Sequence, residues 1–204
     1  MRDILTDLNI LRTELPLYGI APENYPKIHQ GFYNQYKHLE QDIDEEIKNY
    51  MENKDRNKER NKEKDKNNEK EVNIIFSGHS LGGALATISS LTYSLKYPNL
   101  NIACITFGSP RVGDKSFATY FNNIVKESYR FVNDNDPVPC IPIAWRFEHV
   151  KGCIWLYEDK VLNEIKVWRS WRFFKNCFLS LFGYGYNASK DHSCEEYCKD
   201  LKYY

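Results

Sequence analysis

The chain has 204 residues, of which 42% are hydrophobic and 15% aromatic, and this is enough apolar material to fill the core of one domain. Its 28 acidic and 28 basic residues cancel, which excludes the basic footprint of a nucleic-acid-binding protein and favours a neutral or apolar partner. The six cysteines are irregularly spaced and predict neither a disulfide framework nor a zinc site. We therefore expect a single domain over residues 1–204, without metal or cofactor.

The N-terminal stretch MRDILTDLNILRTEL begins with charged residues and lacks the apolar core of a signal peptide. No stretch of the sequence reaches the roughly 20 uninterrupted apolar residues that a membrane-spanning helix needs. The expected location is therefore cytoplasmic by default.

A strongly charged run, ENKDRNKERNKEKDKNNEKE at residues 52–71, follows a segment at residues 39–50 that has the pattern of an amphipathic helix. The run has almost no apolar residue and its charges alternate in sign, so it cannot contribute to a core. It is predicted to be a solvated, partly helical insertion that ends in a flexible loop before the next strand.

The stretch NIIFSGHSLGGALA, residues 73–86, runs from an apolar strand through a Gly-x-Ser-x-Gly turn into a helical pattern. A serine on such a sharp turn has close neighbours, and we expect Gly78 and Gly82 to remove Cβ atoms that would collide there. The following helix directs its N-terminal N–H groups at the same place. These features predict a nucleophilic Ser80 with the backbone N–H of Leu81 as an oxyanion donor. A glycine-rich packing turn is the alternative.

Strands and helices alternate downstream of this turn. Residues 102–107 are predicted to form a buried strand, residues 115–125 a helix, and a third strand that begins near Tyr129 breaks into a loop at acidic and proline residues. Residues 152–168 have the pattern of a hairpin or edge pair, and residues 193–204 that of a C-terminal helix. The alternation predicts an α/β fold with a mainly parallel sheet, helices on both faces, and catalytic groups beyond the carboxyl ends of the strands. Within the same region, Cys104 is expected to be a reduced core residue.

The segment VWRSWRFFKNCFLSLFGYGY, residues 167–186, mixes aromatic residues with Arg169, Arg172 and Lys175. This pattern is typical of a surface helix or flap that lies at an interface. An aromatic cover over the core explains it equally well.

A serine hydroxyl needs a neighbouring base and an acid that orients the base, and in sheets of this kind the chain order is Ser, acid, His. Asp134 and Asp136 follow the third strand. Asp136 is favoured as the acid because Pro137 and Pro139 stiffen its loop, which limits the entropy lost in orienting the base. Asp134 is assigned to a turn or cap.

Five histidines are available as the base. His192, on the loop before the final helix, is preferred to His149, which is suited to an ordinary loop hydrogen bond. His79 is adjacent to the serine and is expected to point away from it across the turn. The residues therefore predict Ser80, Asp136 and His192 as a catalytic set.

Six blocks of this sequence match a known family in its own order: IHQGFYNQY, IIFSGHSLGGALATISS, ITFGSPRVGDKSFATYF, YRFVNDNDPVPCIP, FEHV and DHSCEEY. In these blocks the chain resembles the class 3 lipases, the fungal-type triacylglycerol lipases and their plant and protist relatives. The resemblance implies an α/β-hydrolase fold that hydrolyses carboxylic esters of lipids without metal or cofactor. It also implies Ser80 as nucleophile, Asp136 as acid and His192 as base, and RDILTDLNIL as the lid region.

One part of the family pattern is absent from the sequence. Members carry a strand before the lid that ends in a Phe-Arg-Gly-Thr or Phe-Arg-Gly-Ser motif, whose hydroxyl residue supplies the second oxyanion donor. The chain begins after that strand, so an N-terminally truncated fold, an exposed sheet edge and a half-built oxyanion hole are expected.

Three functions follow as hypotheses. The first is a serine-dependent, triacylglycerol lipase-like hydrolase whose partner is a lipid ester, with contact to a peripheral membrane or lipid-droplet surface. The second is a lipid-binding protein with weakened or no catalysis. The third is a lipid acyltransferase that uses the same acyl-enzyme.

Overall fold

The computed structural model of the chain describes residues 11–60, 73–133, 136–142, 145–157, 160–163 and 188–201. Its helices and strands are, in chain order, β1 (Arg12–Glu14), β2 (Lys27–His29), α1 (Gln30–Arg60), β3 (Ile74–His79), α2 (Leu81–Lys96), β4 (Ile102–Phe107), α3 (Lys115–Ile124), β5 (Glu127–Asn133), β6 (Cys153–Tyr157), β7 (Lys160–Asn163), α4 (Ala188–Asp191) and α5 (Cys194–Asp200). Four of the predictions fall wholly or largely outside the described residues: the lid region, the second half of the charged run, the role of Asp134, and the aromatic segment at residues 167–186.

The main sheet has five strands in the order β3-β4-β5-β6-β7. The first four run parallel, and β7 returns antiparallel to β6 as the predicted hairpin. The predicted α/β fold is confirmed, and the strand at residues 102–107 has the predicted bounds. Within the described part of the sheet, β3 is hydrogen-bonded only to β4, so the nucleophile strand lies at an edge, as expected.

Helix α1 begins at Gln30, nine residues before the predicted start at residue 39, and it continues as far as Arg60, which confirms the predicted helical character of the first part of the charged run. Its inner side is held against α2 by two polar contacts. The Tyr93 hydroxyl donates to the backbone carbonyl of Glu40 at 3.0 Å, and the Lys96 ammonium contacts the Asp44 carboxylate at 2.6 Å. Packing on one side thus fixes a helix whose far end is entirely polar.

The core lies mainly on one face of the sheet, between the strands and α1 to α3. Ile102 and Cys104 of β4 are buried there against α2, and burial raises the pKa of the Cys104 thiol. Cys104 is a free buried thiol, which confirms that prediction. Phe107 points to the opposite face because side chains alternate along a strand. Its ring contacts the edge of Tyr197 on α5, so a helix also covers the second face at the carboxyl end of the sheet.

The described part of the chain contains neither a membrane-spanning helix nor a metal-binding cluster. None of the helices found there has the length and apolar character that crossing a bilayer requires. No group of three or more His, Cys, Asp or Glu side chains in the same ranges could hold a metal ion. Cys140 is disulfide-bonded.

Candidate active site

Ser80 stands at the sharp turn between β3 and α2. Its φ of 56° and ψ of −123° place a non-glycine residue in left-handed backbone space, which is strained for an L-residue. The backbone N–H of Ser80 donates to the carbonyl of Phe107 at 2.9 Å, so the neighbouring strand holds the strained turn in place. The strand, turn and helix therefore adopt the elbow geometry that presents a serine hydroxyl above a sheet.

Of the two glycines of the Gly-x-Ser-x-Gly turn, Gly78 has the expected steric role and Gly82 does not. A Cβ on Gly78 would lie 2.3 Å from the carbonyl carbon and oxygen of Gly82, so only glycine allows the strand to pass this close to the helix. Gly82 itself has open space where a Cβ would be, and its predicted steric role is wrong. The second close approach is at Gly83, where a Cβ would lie 2.8 Å from the Cβ of Ser109. The contact depends on how α2 sits over the loop after β4, which the pentapeptide alone does not encode.

The structure brings Ser80, His192 and Asp136 together in one hydrogen-bonded chain. The Ser80 Oγ lies 2.8 Å from His192 Nε2, and His192 Nδ1 lies 2.9 Å from each carboxylate oxygen of Asp136. All three residues are buried. Because the carboxylate accepts a hydrogen bond from Nδ1–H, Nε2 of a neutral His192 carries no proton and can accept the one from the serine hydroxyl.

The Asp136 carboxylate is fixed from several sides. The short 3-10 turn Val138–Cys140 follows it, and the backbone N–H of Val138 donates to Asp136 Oδ1 at 2.9 Å. Gly108, with a φ of +57°, passes so close that a Cβ there would lie 2.6 Å from Asp136 Oδ2. The carboxylate thus has little freedom to turn away from His192.

Tyr197 is part of the site that the sequence reasoning missed. Its hydroxyl donates to Asp136 Oδ2 at 2.7 Å and accepts the backbone N–H of Asn133 at 2.9 Å. Burial, and the negative charge of Asp136, raise the pKa of Tyr197 well above its usual value, so the hydroxyl stays protonated and can donate. The available signal was its position in the first turn or two of the predicted C-terminal helix, five residues after His192 on the preceding loop.

His149 does not contact the serine. Its Nε2 lies 2.6 Å from the carbonyl of Pro139, the loop role that had been considered for it. Burial lowers the pKa of His149 well below its usual value, and the nearby Arg130 and Arg111 lower it further. The Arg111 guanidinium donates to the carbonyls of Cys140 and Pro142, and burial lowers its pKa to about 10. The side chains of Arg111 and His149 thus hold the loop after Asp136 by hydrogen bonds to its backbone carbonyls.

The N-terminus of α2 supplies one donor toward the serine. Leu81 is the first residue of the helix, and the N–H groups of a first turn have no acceptor within their own helix. The positive end of the helix dipole lies at the same position. The oxyanion-donor role of the Leu81 N–H stays a prediction, and its position in the first turn of the helix is the one that role requires.

A family model described as lipase (class 3) matches residues 2–145 of the chain. The chain belongs to the class 3 lipase family. Ser80 and Asp136 lie within the matched range, and His192 lies beyond it.

Individual lipases are similar to the chain in sequence. The chain is 35% identical over 99 residues to secreted mono- and diacylglycerol lipase 1 of Fusarium solani, covering 46% of this chain and 29% of that protein. It is 26% identical over 163 residues to a lipase of Rhizomucor miehei, covering 78% of this chain and 39% of that protein. The chain thus spans well under half the length of these curated relatives.

Solved structures of lipases share the fold. One is a triacylglycerol lipase whose catalytic centre is described as a serine protease triad. It superimposes with a TM-score of 0.57 at 26% identity, over 78% of this chain and 54% of that one. A second, the Rhizomucor miehei lipase in complex with its propeptide, has a TM-score of 0.56 at 28% identity, over 76% of this chain and 45% of that one. The described strands and helices are therefore those of an α/β-hydrolase.

Proposed function

We propose that the chain is a serine-dependent carboxylic ester hydrolase that acts on lipids, with Ser80 as nucleophile, His192 as base and Asp136 as the orienting acid. The observation that carries this proposal is the unbroken hydrogen-bonded chain from the Ser80 hydroxyl through His192 to Asp136, set on a strained elbow. Membership of the class 3 lipase family supports the reaction class.

The reaction proceeds in two balanced halves. Ser80 Oγ attacks the ester carbonyl carbon while its proton passes to His192 Nε2, and the carbonyl oxygen becomes an oxyanion beside the Leu81 N–H. Collapse of this intermediate expels the alcohol, which takes the proton from His192 and leaves an acyl group on Ser80. Water then attacks the acyl carbon with His192 again as base, which releases the fatty acid and restores the serine. Asp136 stabilises the imidazolium in both halves.

The substrate class that we propose is an acylglycerol. Family membership supports a lipid ester, and the relatives include proteins named as mono- and diacylglycerol lipases and as a triacylglycerol lipase. Such substrates are presented at a lipid surface, so contact with a membrane or lipid-droplet surface belongs to the same proposal. Besides the substrate and water, the reaction as proposed uses only side chains and backbone groups of the protein.

Labelling of the purified full chain with a fluorophosphonate tests the proposal. Stoichiometric labelling that Ser80→Ala and His192→Ala both abolish, together with release of fatty acid from an emulsified acylglycerol, is the expected result. Asp136→Asn should label much more slowly because the histidine loses the group that holds its tautomer. Fatty acid release that is unchanged in Ser80→Ala would refute the proposal.

A second candidate is a lipid-binding protein whose catalysis is weakened. Two observations favour it: β3 lies at an edge of the described sheet, and the Leu81 N–H is the oxyanion donor that the described residues provide. Loss of one oxyanion donor typically lowers turnover about a hundredfold to a thousandfold. Binding to lipid vesicles without covalent labelling of Ser80 would support this candidate. Transfer of the acyl group to an added lipid alcohol, measured by product analysis, would instead indicate an acyltransferase.

The compartment affects how the protein should be assayed. The default expectation was the cytoplasm. Cys140 is disulfide-bonded, and curated relatives are named as secreted, so we propose an oxidising compartment instead. Alkylation of the chain isolated from its own cells, without reducing agent, should leave Cys140 unmodified. An alkylated Cys140 in that sample would point back to the cytoplasm.

A further inference from the structure

His79 is the last residue of β3, directly before the nucleophile, and its side chain makes contacts of its own. Its Nε2 lies 2.7 Å from the backbone carbonyl oxygen of His192, a residue 113 positions away in the sequence. The two imidazole rings lie 4.6 Å apart between centroids, tilted by 36°, and the ring of Tyr197 packs edge-on against His79 at 5.8 Å. His79 therefore contacts both the ring and the backbone carbonyl of the base.

From this contact we infer that His79 is a positioning residue for His192, holding the main chain of the general base while the adjacent Ser80 binds its ring. The inference rests on the proposed function and names how that site keeps its base in place. Two consecutive residues of one elbow thus hold His192 at two points, the backbone carbonyl and Nε2. A displacement of the loop backbone that carries the base would have to break the contact between His79 Nε2 and the His192 carbonyl.

The His192 carbonyl determines which ring nitrogen of His79 carries the proton. A carbonyl oxygen can only accept, so Nε2 of His79 carries the proton and, in the neutral ring, Nδ1 is bare. Burial lowers the pKa of His79, the adjacent His192 lowers it further, and the hydrogen bond to the His192 carbonyl and the charge of Asp136 act in the opposite direction. The other titratable group that faces His79 is Tyr197, which stays neutral. His79 therefore adds no positive charge beside an imidazolium forming on His192.

A second side chain of the sheet also contacts the backbone of the loop that carries His192. Ser193 N–H donates back to Lys190 within the loop itself, and the Asn133 side chain reaches the Asp191 carbonyl at 3.3 Å. The His79 contact, at 2.7 Å, is shorter than the Asn133 contact. Loss of the His79 contact should increase the mobility of His192 with little change in the free energy of unfolding.

Variants at position 79 separate positioning from packing. The amide nitrogen of Gln lies as many bonds from Cα as Nε2 of His, so His79→Gln can still donate to the His192 carbonyl. The amide of His79→Asn is too short to reach. In His79→Asn we expect the rate of fluorophosphonate labelling and the kcat for a soluble p-nitrophenyl ester to fall about tenfold, while KM stays within about twofold of the wild-type value. In His79→Gln both rates should lie within about threefold of the wild-type values. His38→Leu, an exposed change on α1, should leave both unchanged.

A measurement independent of turnover completes the test. In ¹⁵N-labelled protein at neutral pH, the ring of His79 should show the Nε2–H tautomer, and the His79→Asn variant should show a shifted His192 ring with an unchanged thermal midpoint. An Nδ1–H tautomer of His79, or equal labelling of the Asn and Gln variants and the wild type, would overturn the inference. Absence of labelling in the wild type would defeat the proposed function instead, and the tautomer would still decide the role of His79.

Discussion

Replacement of Tyr197 by Phe removes one hydroxyl that serves two buried partners. The change takes a 2.7 Å donor from Asp136 Oδ2 and leaves the backbone N–H of Asn133 without its 2.9 Å acceptor. A hydrogen bond to a charged group contributes about 1.5–3 kcal/mol, and a buried donor left unsatisfied costs about 1–3 kcal/mol. We therefore expect Tyr197→Phe to lower the free energy of unfolding by about 3 kcal/mol or more.

The catalytic consequence should be smaller than the loss of stability. Asp136 keeps its contacts to His192 Nδ1 and to the N–H of Val138, so the carboxylate is still present but less constrained. A loss of about 1.4 kcal/mol in orientation corresponds to about a tenfold fall in kcat. The pH dependence of labelling should change little above neutrality, because the tyrosine is neutral in the native protein.

Urea unfolding and ester hydrolysis measure the two effects on the same samples. Tyr129→Phe is the matched control, because its hydroxyl also contacts a carboxylate, that of Glu127, but on an exposed side chain. Such a surface contact should contribute less than about 0.5 kcal/mol. If Tyr197→Phe unfolded with the same free energy as Tyr129→Phe and kept full kcat, the assignment of Tyr197 to the site would be wrong.

Three further outcomes follow from the packing and the buried groups. Gly78→Ala should unfold the elbow or lower the free energy of unfolding by about 3 kcal/mol or more, because its Cβ would clash with the Gly82 backbone. Gly82→Ala should leave the free energy of unfolding unchanged or raise it by up to about 1 kcal/mol. Equal unfolding midpoints for the two variants would contradict the clash. Because the folded chain lowers the pKa of His149, stability should be full above about pH 6.5 and decline at lower pH, by up to about 1.4 kcal/mol per pH unit. His149→Gln should flatten that decline in urea titrations, and an unchanged slope would count against the assignment. An aromatic disulfide reagent should modify exposed Cys194 rapidly and buried Cys104 only on unfolding; rapid native labelling of Cys104 would argue against its burial.

The sequence by itself determined the local elements and the order of the site. The apolar run before Ser80, the small residues after it and the strand at residues 102–107 are each encoded within a few residues, so their structure was predictable. Asp136 and His192 could be chosen because loops that follow the strands of a parallel sheet converge at one edge. The same reasoning placed the start of α1 nine residues too late, although Phe32 and Tyr36, four residues apart and both buried, continue the helical pattern toward Gln30.

Only the tertiary structure decided which side chains support the site. Tyr197, His79 and Gly83 owe their contacts to segments far away in the sequence, at Asp136, His192 and Ser109 respectively. Periodicity predicts which face of an element is buried, but it contains no information on which atom of a distant loop meets that face. Hydrogen bonds and close approaches of this kind depend on distances of a few tenths of an ångström. They arise only when the sheet, its loops and the final helix have packed together.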